Sequence, residues 1–278
     1  MSAKKLEQEI SYLQHIGVTV SDHQSFTRQV KAYGYDEIVS QYLPHFVVDP
    51  RATPLQLKRP TDFNDISDLY WLDQHLKNTT MIGLQLFEQS FKVTLSRKLR
   101  ELQQDKQQAE LLKPSYQMQN GRTIKRGDLK ARLRHIKKYY LEPYPGYREK
   151  TSGKPSAWVL VKEMSFGIAT NAFFLLEQPV KKEILQVVFQ RPCSLISFEQ
   201  TTADLRVFRG RAAHNYRLIG LRLRHHSIYP LVLAELSLLT NQDPFIRVSQ
   251  QLQKVCEHYL ISHPEERTFI TNNVVGRK

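Results

Sequence analysis

The chain has 278 residues, 41% of them hydrophobic, with 40 Lys and Arg against 27 Asp and Glu and a formal net charge of +13. That apolar content supports a packed core and excludes a disordered chain, and the length fits one large domain or two small ones. The positive excess favours a polyanionic partner, nucleic acid ahead of an anionic membrane surface, because no apolar run approaches the roughly 20 residues that span a bilayer.

The first ten residues lack the apolar core of a signal peptide, so a cytoplasmic protein is expected. Tyr33-Gly34-Tyr35 and Tyr42-Leu43-Pro44-His45-Phe46 frame a short aromatic helical segment, closed by Asp49-Pro50 and Arg59-Pro60. This predicts an N-terminal helical extension over 1–62, packed on the main domain. From about 66 to 102, Leu72, Leu76, Thr80, Gly83, Phe87, Phe91, Leu95 and Leu99 recur three or four residues apart and predict one long core helix. Glu88 and Lys92 stand four apart on it as an ordinary ion pair.

Composition then changes, marking a basic insertion at about 103–155. A Gln-rich stretch leads into Arg122, Lys125, Arg126, Lys130, Arg132, Arg134, Lys137 and Lys138, followed by Tyr139, Tyr140, Tyr144 and Tyr147. Cations track phosphates and aromatic rings stack on unpaired bases, which makes Lys125, Arg126, Lys130 and Arg134 candidate RNA contacts. A solvated basic helix with a Tyr-rich loop is an equally weighted reading. Further helices are expected over 156–176, 179–189, about 199–223 and from Tyr229-Pro230 to Leu239. Asp243-Pro244 starts the last one and His263-Pro264 ends it, with a weakly ordered polar tail over 263–278. No alternation is long enough for a sheet and no repeat occurs, so the fold class is all-α, its main helical domain covering 63–262. Cys193 and Cys256 match no disulfide or metal spacing and are expected as buried, reduced thiols.

The stretch 206–218 carries the chemistry. It places Arg209 five residues before His214, with Arg206, Arg211, Asn215 and Arg217 around them as candidate RNA contacts. An imidazole moves protons near neutral pH and a guanidinium grips phosphate oxygens, so the two could act on RNA without a metal. Spacing alone is weak, and an ordinary basic helix is the reading to beat. On a straight helix five residues rotate by about 140°, so the pair does not share one face. Either the helix is distorted, or a two-fold dimer brings two copies of the pair into one cleft as base and acid. Residues 146–154 lack phosphate-loop spacing. His225-His226, His258 and His263 lack companion ligands, and no nucleophile elbow or dinucleotide fingerprint occurs, so no metal and no cofactor are expected.

Four blocks follow one another in order. They are Gly34-Tyr35 through Phe46; Leu69-Tyr70-Trp71-Leu72-Asp73 through Glu88 and Lys92; Trp158 through Ser165-Phe166-Gly167; and Arg209-Gly210 through His214, continued by Asn215-Tyr216-Arg217-Leu218. Together they resemble the Abi-like proteins of bacterial abortive infection, a branch of the HEPN superfamily, over about residues 30–225. The resemblance implies an all-α, HEPN-like helical bundle, frequent homodimerisation, and a metal-independent endoribonuclease acting in phage defence or as a toxin, with an RNA or protein antitoxin as a further partner. Arg209 would hold the scissile phosphate and His214 transfer the proton, while the RNA 2′-hydroxyl attacks and leaves a 2′,3′-cyclic phosphate. The chain departs from the motif at Gly210, where the family carries a polar residue. Arg211 or Asn215 substitutes for it, or the site is idle and the protein acts by sequestering RNA or binding a partner. A DNA-binding regulator is the third reading, since charge alone suits duplex DNA.

Overall fold

The computed structural model describes residues 3–104 and 112–276, so part of the Gln-rich start of the basic insertion lies outside the described residues. Helices account for 68% of the structure, and its only ladders among the described residues are three two-stranded ones, so the fold is all-α. In chain order the α-helices are α1 (Ala3–His15), α2 (His23–Tyr33), α3 (Phe63–Gln104), α4 (Arg126–Tyr139), α5 (Tyr147–Lys150), α6 (Ala157–Glu163), α7 (Phe166–Phe174), α8 (Gln178–Val188), α9 (Leu195–Ala213), α10 (Ile228–Ser237), α11 (Asp243–Ser262) and α12 (Arg267–Ile270). Among the described residues no helix is long and apolar enough to cross a membrane. The chain divides into two compact units: residues 1–81, 208–231 and 249–278 form one, and 82–207 with 232–248 form the other.

In the first unit, α2 starts at Asp22, whose side chain accepts the Ser25 amide and so satisfies an orphan donor of the first turn. Ile66, Leu69, Leu72 and Leu76 bury the inward stripe of α3, as the three-and-four spacing requires. The C-terminal residues depart from the expectation of a loose tail. Residues 264–275 fold into a 3-10 turn, α12 and a π-turn, and Ile270 and Val274 are buried. Charge pins them: Glu266 accepts from His45 Nε2 at 2.9 Å and from Arg59 Nη2 at 2.9 Å, while Arg59 also pairs with Glu265. Acidic residues that read as a solvated end are therefore ion-pair partners of positions about 200 residues away.

His263, which ends α11, donates through Nε2 to Asp68 at 3.0 Å and has Asp65 at 3.7 Å from Nδ1. The hydrogen bond to Asp68 holds its pKa above the usual value against the opposing effect of burial, with the charges of Asp68, Asp65 and Glu265 adding to it. A group raised in the folded state stabilises fully below its unfolded pKa and loses that contribution as pH rises through the folded one. The thermal midpoint is therefore expected to decline from about pH 6.5 upward, and His263→Gln to flatten that decline in a melting series. A midpoint constant across that range in the unmodified protein would contradict it.

In the second unit, Phe91 of α3 meets Phe166, Phe173 and Phe198 at ring-centroid distances of 6.2, 5.8 and 5.4 Å, an edge-to-face and tilted cluster that forms its core. At Gly83 a Cβ would lie 2.9 Å from Leu236 Cδ1 and 2.5 Å from Val248 Cγ2, so glycine allows this close approach. Glu88 and Lys92 form the expected ion pair at 2.7 Å.

Two helices expected as single runs are divided. The run over 156–176 breaks at Met164, which is extended, and Ser165 then caps α7 by accepting the Ile168 amide at 3.3 Å. The run over 199–223 ends at Ala213, and Arg222–Leu223 pairs antiparallel with His226–Ser227. Asn215, Gly220, Arg224 and His225 all have φ between 51° and 82°, a backbone that no right-handed helix contains. Arg224 and His225 are the two central residues of a tight hairpin, whose preferred turns need positive φ. Cys256 is buried and Cys193 is half-buried rather than buried; both are free thiols.

Candidate functional site

The Arg–His stretch lies at the end of α9, and the way that helix ends decides where His214 points its backbone. The Tyr216 amide donates to Arg211 O at 3.0 Å and the Asn215 amide to Ala212 O at 3.1 Å, with Asn215 at φ 57°. This pair of bonds is a Schellman closure in which Asn occupies the left-handed position more often filled by Gly. The His214 amide still donates to Gly210 O at 3.2 Å, so the helical bonding pattern continues to His214 and its side chain is exposed. The angular offset between Arg209 and His214 expected from an ideal helix therefore persists.

The residues after His214 are held by a buried polar network within the first unit. Asn215 Oδ1 accepts from Gln74 Nε2 at 2.6 Å and from Lys77 Nζ at 3.0 Å, and its Nδ2 donates to Glu37 at 3.0 Å. Arg217 donates through Nη1 to Gln41 O at 2.9 Å and through Nε to Ile219 O at 3.0 Å. The side chains of Asn215 and Arg217, both expected as RNA contacts, are thus taken up internally. Asp73, fully buried on α3, is the hub. Its Oδ2 accepts from Tyr42 at 2.7 Å and from the Leu218 amide at 2.8 Å; its Oδ1 accepts from Tyr229 at 2.7 Å and from the Ile219 amide at 2.9 Å. Lys77 Nζ lies 3.8 Å from the same carboxylate.

Burial lowers the Lys77 pKa against the pull of Asp73 and Glu37, and lowers that of Arg217 against Asp73 and Tyr42. Burial also pushes the Tyr42 and Tyr229 hydroxyls well up, with the Asp73 charge adding to it, so both remain donors to that carboxylate. The arrangement is a rigid mount: two tyrosines, two backbone amides and one lysine fix the segment that follows the histidine.

Arg209 is half-buried, as are Arg206 and Arg211. The Arg211 guanidinium lies 5.2 Å from the Tyr216 ring centroid, a cation–π contact. Arg206 packs against Gly167 at the start of α7, where a Cβ would collide with its guanidinium. Burial and then the charge of Arg122 hold its pKa below the ordinary value. Gly210 is exposed, and a Cβ there would meet nothing within 4 Å. The position that carries a polar residue in the resembling family thus has open space one turn before His214. Gly210→Asn is expected to fold with equal or slightly greater helix stability, since Gly is about 0.8–1 kcal/mol and Asn no more than about 0.7 kcal/mol poorer than Ala in a helix interior. A circular-dichroism melt checks this, and a midpoint well below that of the unmodified protein would contradict it.

The basic insertion lies in the second unit. Residues Ser115–Gln117 and Thr123–Lys125 form a hairpin that leads into α4. Leu129 faces inward, while Lys125, Lys130, Arg132, Arg134, Lys137 and Lys138 are exposed. Arg126 differs, because its Nη1 donates to Leu112 O at 3.0 Å. The four tyrosines separate by role: Tyr140 and Tyr147 join Val159 in a small core, whereas Tyr139 and Tyr144 are 58% and 47% exposed, with Lys138 and Lys150 over their rings.

Sequence reading missed Asp73 and Lys77 as parts of the motif's mount, along with Glu37, Gln41 and Tyr229. The signal was present, since an acid and a base four residues apart sit inside the apolar stripe of α3, where unpaired charges are rarely buried. Among the described residues no group of His, Cys, Asp and Glu has the arrangement to hold a metal ion. A family model described as Abi-like protein matches residues 28–220. No curated protein and no solved structure matches the chain.

Proposed function

The chain belongs to the Abi-like protein family, and from that premise we propose that it serves in abortive infection as a metal-independent endoribonuclease of HEPN type, acting in the cytoplasm on RNA. The observation that carries this reading is His214: an exposed imidazole at the end of α9, followed at once by a backbone locked through Asn215 and Asp73. A histidine fixed in this way beside open space at Gly210, with Arg209 on the preceding turn, can meet a phosphodiester without first ordering the chain.

In the proposed reaction the RNA 2′-oxygen forms a bond to phosphorus and the bond from phosphorus to the 5′-oxygen breaks. One imidazole takes the 2′-hydroxyl proton, a second protonates the departing 5′-oxygen, and Arg209 binds the charge that grows on the non-bridging oxygens. Because one chain supplies one His214, and because it is offset from Arg209, the proposal includes a homodimer whose two motifs share a cleft. An RNA or protein antitoxin is the further partner the family suggests.

Incubating the purified protein with RNA in EDTA tests the reading: fragments ending in 2′,3′-cyclic phosphate are expected. RNA bound but left intact would instead support the second reading, an inactive RNA-binding relative, which the missing side chain at Gly210 motivates. Preference for duplex DNA over RNA of matched sequence would favour a regulator.

The exposed cations of α4 are expected to supply salt-sensitive affinity without base choice. Replacing Lys125, Lys130 and Arg134 together by Gln should reduce the slope of log affinity against log salt by about 2, from three single-strand phosphate contacts. Fluorescence anisotropy over a salt series reads it, and an unchanged slope places the RNA elsewhere. Arg126 is left intact because its guanidinium holds Leu112.

A further inference from the structure

The first unit also holds a cleft of about 530 Å³ between α3 and α11, within the size range of small-molecule sites. Trp71 and His75 line it from α3, and Lys254, His258 and Tyr259 line it from α11. Trp71 and His75 are four residues apart and share a face of α3. Asp73 lies two residues from each, about 160° around the helix, so the cleft and the mount of the Arg–His motif use opposite sides of α3.

Two properties define what the cleft accepts. The first is a fixed aromatic plate. The Trp71 indole N–H donates to Gln29 Oε1 at 3.2 Å, and Tyr33 and Tyr70 pack edge-on against the ring, each with centroids 5.1 Å away. The indole is only partly buried and stays in the lining. The second is a rim of nitrogen donors. Asp68 contributes the carboxylate of the lining, and His263 engages it at 3.0 Å while stacking on Tyr259 at 4.5 Å. Lys254 sets an exposed ammonium at the rim, and the exposed His75 and His258 add imidazole nitrogens able to donate to an anion.

An indole beside a donor-rich rim that carries an ammonium matches a ligand with an aromatic heterocycle at one end and an anion at the other. We propose that this cleft binds a nucleoside phosphate, its base against the Trp71 indole and its phosphate toward Lys254, His75 and His258. The ligand is either a free nucleotide or an unpaired nucleotide of an RNA. A stacked base and a charge-assisted phosphate contact are the same chemistry in both. The site stands apart from the cleavage reading, since it uses none of the residues assigned to the reaction.

The test uses fluorescence, because the chain has two tryptophans and Trp158→Phe leaves Trp71 as the sole reporter. A second change, His214→Ala, prevents turnover, so a failure of binding is read separately from a failure of cleavage in the unmodified chain. The four 5′-nucleoside monophosphates, a short unstructured RNA, the unphosphorylated nucleosides and inorganic phosphate are titrated in turn. Saturable quenching by nucleotides is expected, weakened roughly tenfold or more by the exposed pair Lys254→Gln and His258→Gln at unchanged melting temperature. Quenching by mononucleotides identifies a free nucleotide as a sufficient ligand, and quenching by the RNA alone identifies the polymer as the source; either supports the site. No saturable quenching by mononucleotides or RNA overturns it. So does binding of nucleosides or inorganic phosphate as tight as that of nucleotides, or affinity that the double replacement leaves intact.

Discussion

His214→Ala is expected to abolish RNA cleavage in EDTA while leaving the far-ultraviolet spectrum and melting temperature of the protein unchanged. A positioned proton-transfer group contributes about 10²–10⁴-fold to rate, so the loss should be at least about a hundredfold. Stability should move by no more than about 0.5 kcal/mol, the range for exposed positions free of special packing, because the imidazole is exposed and the helix closure runs through backbone bonds of residues 210–216. Growth inhibition on overexpression should disappear in parallel. Cleavage at the original rate by the folded variant removes His214 from the reaction and leaves RNA binding as the surviving reading.

Asp73→Asn is expected to have the largest effect on stability of any single isosteric change in the first unit. The carboxylate accepts four hydrogen bonds, two on each oxygen, and faces Lys77. An amide keeps one oxygen but turns the other position into a donor that confronts two donors, and it leaves Lys77 with Glu37 as its remaining opposite charge. Removing one partner of a buried pair costs about 3–5 kcal/mol, which at this chain length lowers the melting midpoint by on the order of 10 °C. The damage should be local at first, since either the Leu218 or the Ile219 amide, whichever faces the new NH2, loses its acceptor, and limited proteolysis should cut the 216–221 segment earlier than in the unmodified protein. A midpoint within about 1 °C of the original would show that the network is dispensable.

The elements most legible in the sequence were those whose apolar spacing runs on over many turns. α3 was expected over 66–102 and spans 63–104, because its inward stripe from Leu69 to Leu95 is carried by large side chains in register. Where a polar residue interrupts the pattern, a backbone capping bond overrides it, as Ser165 does between α6 and α7. The first strand of the hairpin, 222–223, was read as the end of a helix and no turn was expected at Arg224-His225, because Arg-Leu-Arg-His has no turn signal of the Asn-Gly kind, yet Arg224 and His225 adopt positive φ. The compact units were not legible as consecutive segments, since their four boundaries, at 81, 207, 231 and 248, all fall inside helices where composition does not change. For the candidate site, Arg209 and His214 are candidates through the order of the four blocks rather than through spacing alone, and the partners that hold the segment after His214 lie about 140 and 175 residues upstream in the chain. Only α3's misplaced charges, Asp73 and Lys77, hinted at them.

The closure of α9 by Asn215 has a consequence for recognising and transplanting such sites. The Arg–x4–His spacing is not a portable cassette: moved to another helix it would keep its interval and lose Glu37, Gln74 and Lys77, which hold the capping amide in place. A search by interval alone will collect many basic helices whose histidine is unanchored. The discriminating signature is compound, pairing that interval and a following Asn with an acid and a lysine four apart on the inward stripe of a long helix far upstream.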